Sequence, residues 1–424
     1  MSAIALPYGH KTTTLNVDDF RLVSVIRPSH SMGSVTYDEC ALVQEALAHP
    51  IASPRLRDMA KGKQRVLIIT SDHTRPVPSH ITMPLYLQEI RSENSDAQII
   101  ILIATGMHRP TTEDELRTKF GDEIVNQERI IVHKSDEAES MVFLGMLPSG
   151  GELWLNKLIT WADLVVSEGF IEPHFFAGFS GGRKSILPGI ASRKTVLYNH
   201  NAQFIKDPHA VQGSLDENPI HMDMLFAAQK AGLGFILNVL IDTEKHIIAA
   251  VAGDPVFAHR EGCALCERMT RVSPVTADIV VTSNGGYPLD QNVYQSVKGM
   301  TAAEACVVNG GVIIMCAALG DGHGGEAFYR WFSERDGPRA VERDIENVPP
   351  EHTHMDQWEA QILARIMNRA VCYFVTDEEN RKLIESMHMH WAPTPDEALS
   401  EATSLLGKHS TVAVIPDGVS VIIR

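Results

Sequence analysis

The residues best suited to chemistry in this 424-residue chain begin with one stretch, Glu172-Pro173-His174-Phe175-Phe176-Ala177-Gly178-Phe179-Ser180-Gly181-Gly182-Arg183-Lys184-Ser185. Glycine adopts positive φ without penalty and lets a ligand approach the backbone, so Gly178, Gly181 and Gly182 permit a tight loop. Successive backbone N–H groups in such a loop suit a phosphate or another anion. Arg183 and Lys184 place positive charge there, in a chain whose net charge is −16. Lys184 is also a primary amine, able to carry a covalently attached cofactor. His174 and His200 flank the loop. Taken alone, a glycine-rich turn with a solvated basic pair accounts for the same residues. Two further polar loops argue for more. Ser71-Asp72-His73-Thr74-Arg75-Pro76 and Thr105-Gly106-Met107-His108-Arg109-Pro110 each follow an apolar run. Asp72 or Thr74 as a simple helix cap explains either residue, but not Arg75 between two turn signals.

The elements that must position these loops follow from hydrophobic pattern. Arg65 to Thr70, Ala97 to Ala104, Arg129 to His133 and Asp163 to Ser167 read as strands. Helices are expected over His80 to Ser92, after Thr112, where Glu113-Asp114-Glu115 suit a first turn, and from Arg193 to Phe204. This β-loop-α alternation implies a mostly parallel, doubly wound sheet. Ligands of such sheets sit beyond the C-terminal ends of the strands, so the three polar loops should converge. Phe235 to Ile241 and His246 to Val251 suggest a hairpin around Asp242-Thr243-Glu244. A helix over Pro255 to Met269 and a boundary near Ser273-Pro274 follow. A second β-loop-α series then begins, with strands at Ala277 to Ser283, Gly311 to Ala317 and Ala370 to Thr376. Helices are expected at Gln291 to Met300 and Ala302 to Val308, and Ser410 to Ile415 with Val419 to Ile423 as a closing strand pair. The expected organisation is two α/β domains, 1–272 and 273–424, the second smaller. In the second, Tyr294 and Lys298 lie one helical turn apart on one face. They suit a surface pair or a carboxylate-binding pair equally. Gly320-Asp321-Gly322-His323-Gly324-Gly325 is compatible with a ligand loop or a flexible turn.

Composition narrows the function. Hydrophobic residues make up 44% and charged residues 21%, as in soluble globular proteins. Net charge of −16 speaks against a nucleic-acid surface, which needs a basic face. No apolar run is long enough to span a bilayer, and the N-terminal residues lack a signal peptide's pattern. The expected location is the cytoplasm, with no membrane partner. The six cysteines are scattered, so reduced thiols are expected. Cys263 and Cys266 form a single CxxC inside a helical stretch, which favours a structural reading over metal binding.

In combination, the loops at Ser71 to Pro76, Ala104 to Pro110 and Glu172 to Lys184, with His200, Tyr294-Gln295-Ser296-Val297-Lys298 and Trp358, resemble the nickel-dependent lactate racemase family over essentially the whole chain. The resemblance implies a two-domain α/β enzyme with its active site in the interdomain cleft. It implies racemisation of D- and L-lactate with a nickel pincer nucleotide, pyridinium-3-thioamide-5-thiocarboxylic acid mononucleotide, attached to Lys184. It implies His200 as a nickel ligand and His108 and His174 as catalytic acid/bases. Arg75 and Lys298 are implied carboxylate binders, and Tyr294, Gln295 and Trp358 implied substrate contacts. Asp72, with Thr74, is implied to support the cofactor. Dedicated cofactor-biosynthesis proteins are implied as maturation partners. The mononucleotide's phosphate is expected at Ser180, Gly181, Gly182 and Arg183, beside a basic loop.

Elementary chemistry agrees with that expectation. Removing a proton from the carbon beside an ionised carboxylate would build a second negative charge there. A histidine with a pKa of about 6.5 is too weak a base for that. Removing hydride while a base takes the hydroxyl proton avoids the problem. The flat product, pyruvate, can then receive hydride on its other face, which calls for two bases. Two alternatives stay open at this point: the same chemistry on another 2-hydroxy acid, and a hydrolase using a metal bound by His108, His174 and His200.

Overall fold

The computed structural model describes residues 1–28, 38–242 and 244–424. They pack as two compact units. A middle unit comprises residues 38–199 and 207–268. A terminal unit comprises 1–28, 200–206 and 269–424.

The middle unit is built on a six-stranded sheet. Its order is Ile247–Gly253, Leu233–Ile241, Leu164–Phe170, Arg65–Ser71, Gln98–Ala104, Arg129–Val132. Every pairing is parallel except the edge pair Leu233–Ile241 with Ile247–Gly253. The expected parallel sheet and hairpin are therefore both present; Thr243 of the hairpin turn lies outside the described residues. Residues 66–70 are buried without alternation, because helices cover both faces of a parallel sheet. Val66 and Ile68 share a core with Tyr86 and Ile90 of the helix Ser79–Glu93. Each such side chain contributes about 1.5–3 kcal/mol by leaving water. The helix Glu113–Phe120 starts as predicted. Thr112 and Glu115 form a reciprocal capping box, which satisfies two otherwise unpaired N–H donors.

The terminal unit holds a second six-stranded sheet, in the order His390–Ala392, Val371–Val375, Val307–Cys316, Ala277–Ser283, Val412–Ile415, Leu22–Val25. All its pairings are parallel. Here the structure departs from a contiguous division at residues 272 and 273. Leu22–Val25 completes this sheet's edge, and the hairpin Ser2–Tyr8 with Lys11–Val17 puts Ile4, Leu6, Leu15 and Val17 into its core. The chain's beginning thus packs with its end.

Other expectations are corrected. The closing strands do not pair with each other: Val412–Ile415 lies in the sheet, and Ile422–Ile423 pairs with Arg271–Val272. The stretch 291–308 makes one helix, Val293–Cys306, and not two. The helix expected over Arg193 to Phe204 is two short ones, Arg193–Asn199 and Ala202–Lys206. Asn201 starts the second by accepting the Phe204 N–H at 3.0 Å. The Gly320 to Gly325 loop brackets the start of Val293–Cys306. The carbonyls of Gly322 and His323 accept N–H bonds from Val293 and Tyr294 at 3.0 and 3.2 Å. Gly324 has φ of +81°, and a Cβ there would stand 2.4 Å from Asn292 Cγ. The glycine lets the loop close over Asn292, which caps the helix. No helix of the described residues is long and apolar enough to cross a membrane.

Candidate active site

Three adjacent parallel strands of the middle unit, Leu164–Phe170, Arg65–Ser71 and Gln98–Ala104, deliver the three polar loops to one end of the sheet, beyond the strands' C-termini. Direct bonds tie the loop after Gln98–Ala104 to its surroundings. Gly106 N–H donates to the Gly189 carbonyl at 2.9 Å, and Thr105 Oγ1 donates to the His133 carbonyl at 2.7 Å.

Asp72 is the hub. It is 1% exposed. His108 Nδ1 donates to its Oδ2 at 2.8 Å. A carboxylate only accepts here, so the Nδ1 proton is fixed and Nε2 is left as the acceptor nitrogen of a neutral ring. Asp72 Oδ1 accepts the Thr74 N–H at 3.1 Å and the Thr74 hydroxyl at 2.6 Å. Thr74 Oγ1 in turn accepts from Arg75 Nη1 at 2.9 Å. Burial pushes the Asp72 pKa up, but the His108 bond, the attraction of that ring when protonated, Thr74 and the Arg75 charge outweigh it. The net shift is below the ordinary carboxylate range. One carboxylate thereby orients an imidazole and, through Thr74, a guanidinium.

His174 is presented in the opposite sense. It lies in the short strand Pro173–His174, paired with Gly178–Phe179. Its Nδ1 accepts the Ala177 N–H at 3.3 Å, so the neutral ring carries its proton on Nε2. Phe175 stacks on the ring and Phe176 meets it edge-on, at 5.1 and 4.5 Å between centroids.

Lys184 lies in the single 3₁₀ turn Gly182–Ser185, and its Nζ stands 5.8 Å from the centre of the Phe176 ring. The anion-loop expectation for Ser180 to Arg183 requires correction. The N–H groups of Ser180, Gly182 and Lys184 already donate to the Glu172 carbonyl, Asn238 Oδ1 and the Gly181 carbonyl. Arg183 is 1% exposed and turns inward. The glycines serve protein packing: a Cβ at Gly181 would stand 2.8 Å from Asn238 Oδ1, and one at Gly182 2.7 Å from the His259 ring.

The remaining predicted residues belong to the terminal unit. His200 is buried, with its ring edge-on to Trp358 at 5.1 Å. Tyr294, Gln295 and Lys298 share the helix Val293–Cys306, where Lys298 Nζ donates to Gln295 Oε1 at 2.7 Å. Trp358 opens the helix Gln357–Arg369.

Among the buried charges that sequence reasoning missed, three stand out. Glu168, 1% exposed, accepts hydroxyl bonds from Thr70, Ser79 and Thr82. Lys119 is 9% exposed, and its Nζ has no hydrogen-bond partner. Glu359 is 1% exposed with both oxygens unpartnered. A signal existed for the first, because an acid directly follows the apolar run Leu164 to Ser167. The other two sit in helical stretches where a charged residue reads as solvated.

The donor set fits one attachment amine and one imidazole. Among the described residues, no group of three or more His, Cys, Asp or Glu is placed to hold a metal. A catalytic zinc of the hydrolase kind draws three ligands from the protein, so the hydrolase alternative loses its support. A nickel bound mainly by sulfur from a nucleotide asks the protein for a single imidazole, and His200 can supply one.

His108 oriented by Asp72, with His174 and Arg75 on neighbouring loops, suits acid/base chemistry on a small anionic substrate. Comparison with known proteins makes this specific. Family models for the lactate racemase N-terminal domain and the lactate racemase C-terminal domain match residues 8–213 and 272–423. The lactate racemase of Thermoanaerobacterium thermosaccharolyticum is 52% identical over 424 residues, the whole of both chains. That of Lactiplantibacillus plantarum is 49% identical over 428 residues, again the whole of both. The structure of the T. thermosaccharolyticum lactate racemase apoprotein covers 100% of both chains with a TM-score of 0.97. A Thermotoga maritima protein, 18% identical, shares the fold with a TM-score of 0.65 over 91% of this chain and 98% of that one. The chain belongs to the lactate racemase family, whose members are isomerases.

Proposed function

We propose that the chain is a cytoplasmic racemase of D- and L-lactate, working by reversible hydride removal through pyruvate. The observation that carries the reading is the opposite presentation of two imidazoles at one end of the sheet. His108 offers an acceptor nitrogen at Nε2, held so by Asp72. His174 offers a donor nitrogen at Nε2, because its Nδ1 accepts a backbone N–H.

In this reading one histidine takes the hydroxyl proton of one enantiomer as its Cα hydrogen leaves as hydride. Pyruvate then receives hydride on its other face, the other histidine gives its Nε2 proton to the new alkoxide, and proton exchange with solvent returns both rings to their starting states. Arg75 grips the carboxylate through a planar fork that also excludes misoriented substrate. Lys298 adds a second cation for that carboxylate, and Tyr294, Gln295 and Trp358 contact the substrate. Lys184 is the attachment amine for the pincer nucleotide and His200 its nickel ligand, with loading by separate cofactor-building proteins. When bound, that group supplies the hydride acceptor. Asp72 and Thr74 hold His108 and Arg75 in register beside it.

A test follows from the symmetry of racemisation. The equilibrium constant is one, so any variant must lower kcat/KM equally in both directions. Half-reactions are more informative. Loaded enzyme mixed with a single enantiomer and quenched with acid should release about one pyruvate per loaded site at most. His108→Ala should yield pyruvate from one enantiomer only, and His174→Ala from the other. Full racemase rates in either variant would remove that histidine from the mechanism. Racemisation by protein with an unmodified Lys184 would reject the attached cofactor.

A further inference from the structure

The Arg183 guanidinium is the feature the proposed reaction leaves unexplained. Arg183 heads the largest fully buried side chains of the described residues. Its Nε donates to His221 Nδ1 at 2.9 Å. Nη2 donates to the Ala177 carbonyl at 2.6 Å, and Nη1 to the Phe179 carbonyl at 2.8 Å. Nη1 also lies 3.5 and 3.4 Å from the carbonyls of Ser180 and Gly181, and 3.0 Å from His259 Nε2. Among the described residues, no ion pair links Arg183 to a carboxylate. A buried charge is normally paired with an opposite one. This one is surrounded by neutral acceptors, four of them carbonyls of the loop on which Lys184 stands.

His221 must be neutral to accept from it, whereas His259 Nε2 donates to the Ser180 carbonyl at 2.9 Å and packs beside the guanidinium. Burial, and then the Arg183 charge, pull His221 down to about 3 and His259 well below its ordinary value. The fit is close on every side. The His259 ring lies over Gly182, where a Cβ would stand 2.7 Å away. Cys263 Sγ lies 3.5 Å from His259 Nε2 on the far side.

Arg183 and Lys184 are neighbours in one 3₁₀ turn, Gly182–Ser185. With three residues per turn, consecutive side chains leave such a turn about 120° apart. Anchoring residue 183 inward therefore fixes the direction in which residue 184 leaves the loop. We propose that Arg183, clamped by His221 and the loop carbonyls, is the positioning residue that sets the Lys184 amine for cofactor attachment. The inference rests on the reading that Lys184 carries the cofactor.

The clamp has a conservative replacement. An Asn side-chain oxygen falls near the place of a histidine Nδ1, so His221→Asn keeps an acceptor for Arg183 Nε, whereas His221→Leu removes it. Each variant, with wild type and Arg183→Lys, is produced alongside the cofactor-building proteins. The fraction of chains carrying added mass on Lys184 is read by intact mass and peptide mapping. His221→Leu and Arg183→Lys should load roughly ten-fold less or worse, because small misplacements of reacting groups cost that much. His221→Asn should stay within about two- to three-fold of wild type, since it keeps the charge-assisted bond.

A His221→Leu protein that loads like wild type overturns the proposal, as does equal loss in the Leu and Asn variants. Should His221→Leu fail to fold, Arg183→Lys decides: folded and fully loaded, it overturns the clamp. If even wild type carries nothing on Lys184, the cofactor reading fails and the clamp is judged separately. Acetylation of unloaded protein by a small activated ester would then be followed at Lys184 relative to exposed Lys194. His221→Leu should change that ratio several-fold and His221→Asn should not. Identical ratios would overturn the clamp.

Discussion

The two units present their functional side chains in contrasting ways. In the middle unit they stand on loops, and each is tied down by a bond to a neighbour. Asp72 holds His108 and Thr74, Thr74 holds Arg75, and Ala177 holds His174. In the terminal unit Tyr294, Gln295, Lys298 and Trp358 stand on helices and His200 lies between two short ones, and the helix Gln357–Arg369 carries buried polar atoms with no hydrogen-bond partner. These are Gln357 Nε2, both Glu359 oxygens and Gln361 Oε1. Each such atom costs about 1–3 kcal/mol. The buried glutamates make the contrast sharpest. Glu168 accepts three hydroxyl bonds, whereas Glu359 accepts none. The functional loops of the middle unit are preorganised by their own contacts, although Lys119 Nζ in that unit is also unpartnered, whereas the terminal unit keeps its unsatisfied polar groups in the helix that bears Trp358.

If preorganisation in the middle unit matters, its hub should be the most sensitive point. Asp72→Asn is expected to lower kcat about 10²–10⁴-fold, because an amide can present its N–H to His108 and select the wrong tautomer. Loading of Lys184, measured by mass, should stay near wild type. A loss of loading that accounts for the whole rate loss would instead make Asp72 a cofactor support. Next in size is Arg75→Lys, which removes the fork. The expected loss in kcat/KM is about ten- to a hundred-fold, the worth of one charged hydrogen bond. An unchanged kcat/KM would take Arg75 out of the substrate site.

The middle unit's bonds also predict an acid limit. His133 is 1% exposed. Its Nε2 donates to the Ala191 carbonyl at 3.0 Å and its Nδ1 accepts from Asn156 at 3.2 Å. Burial brings its pKa down to about 4. The unfolded chain therefore takes up this proton before the folded one does. The stability held by the neutral ring is complete above pH 6.5 or so and falls as the pH drops toward about 4. The loss reaches roughly 3 kcal/mol. Chemical unfolding of wild type and His133→Asn between pH 7 and 4 tests this. Parallel curves for the two would show that His133 is not the group that titrates.

What the sequence made legible was whatever repeats with a period or sits in a turn. The strands Arg65–Ser71 and Gln98–Ala104 announce themselves as apolar runs, and the parallel-sheet rule then brings Asp72 and His108 together across 36 residues of chain. The pairing of the edge strand Leu22–Val25 with Val412–Ile415 was not legible, since pairing at that distance leaves no local pattern. Arg183 shows the other limit. A basic residue in a glycine-rich loop reads as surface charge, because its acceptors are carbonyls and a histidine far along the chain. Glu359 escaped for a similar reason: its helix is buried on nearly every side, so no polar face marks where solvent ends.

The smallest expected effect bears most directly on the contrast between the units. Burial pushes the Glu359 pKa well above the ordinary carboxylate range; the Lys298 charge opposes this and the Asp356 charge adds to it. A folded-state pKa above the unfolded one means the folded protein holds its proton more tightly. The resulting stability is complete below the unfolded value of about 4.3 and is lost as the pH rises through the folded value. Glu359→Gln mimics the protonated form and cannot ionise. It should match wild type near pH 4 and exceed it by about 1 kcal/mol at pH 7–8, a figure that allows for the lost attraction to Lys298. Its kcat/KM should change less than about three-fold, since a neutral side chain already stands there. Urea unfolding at several pH values distinguishes the cases. A variant less stable than wild type at pH 8 and equal at pH 4 would mean that Glu359 is ionised and paired with Lys298. The terminal unit would then be as firmly preorganised as the middle one.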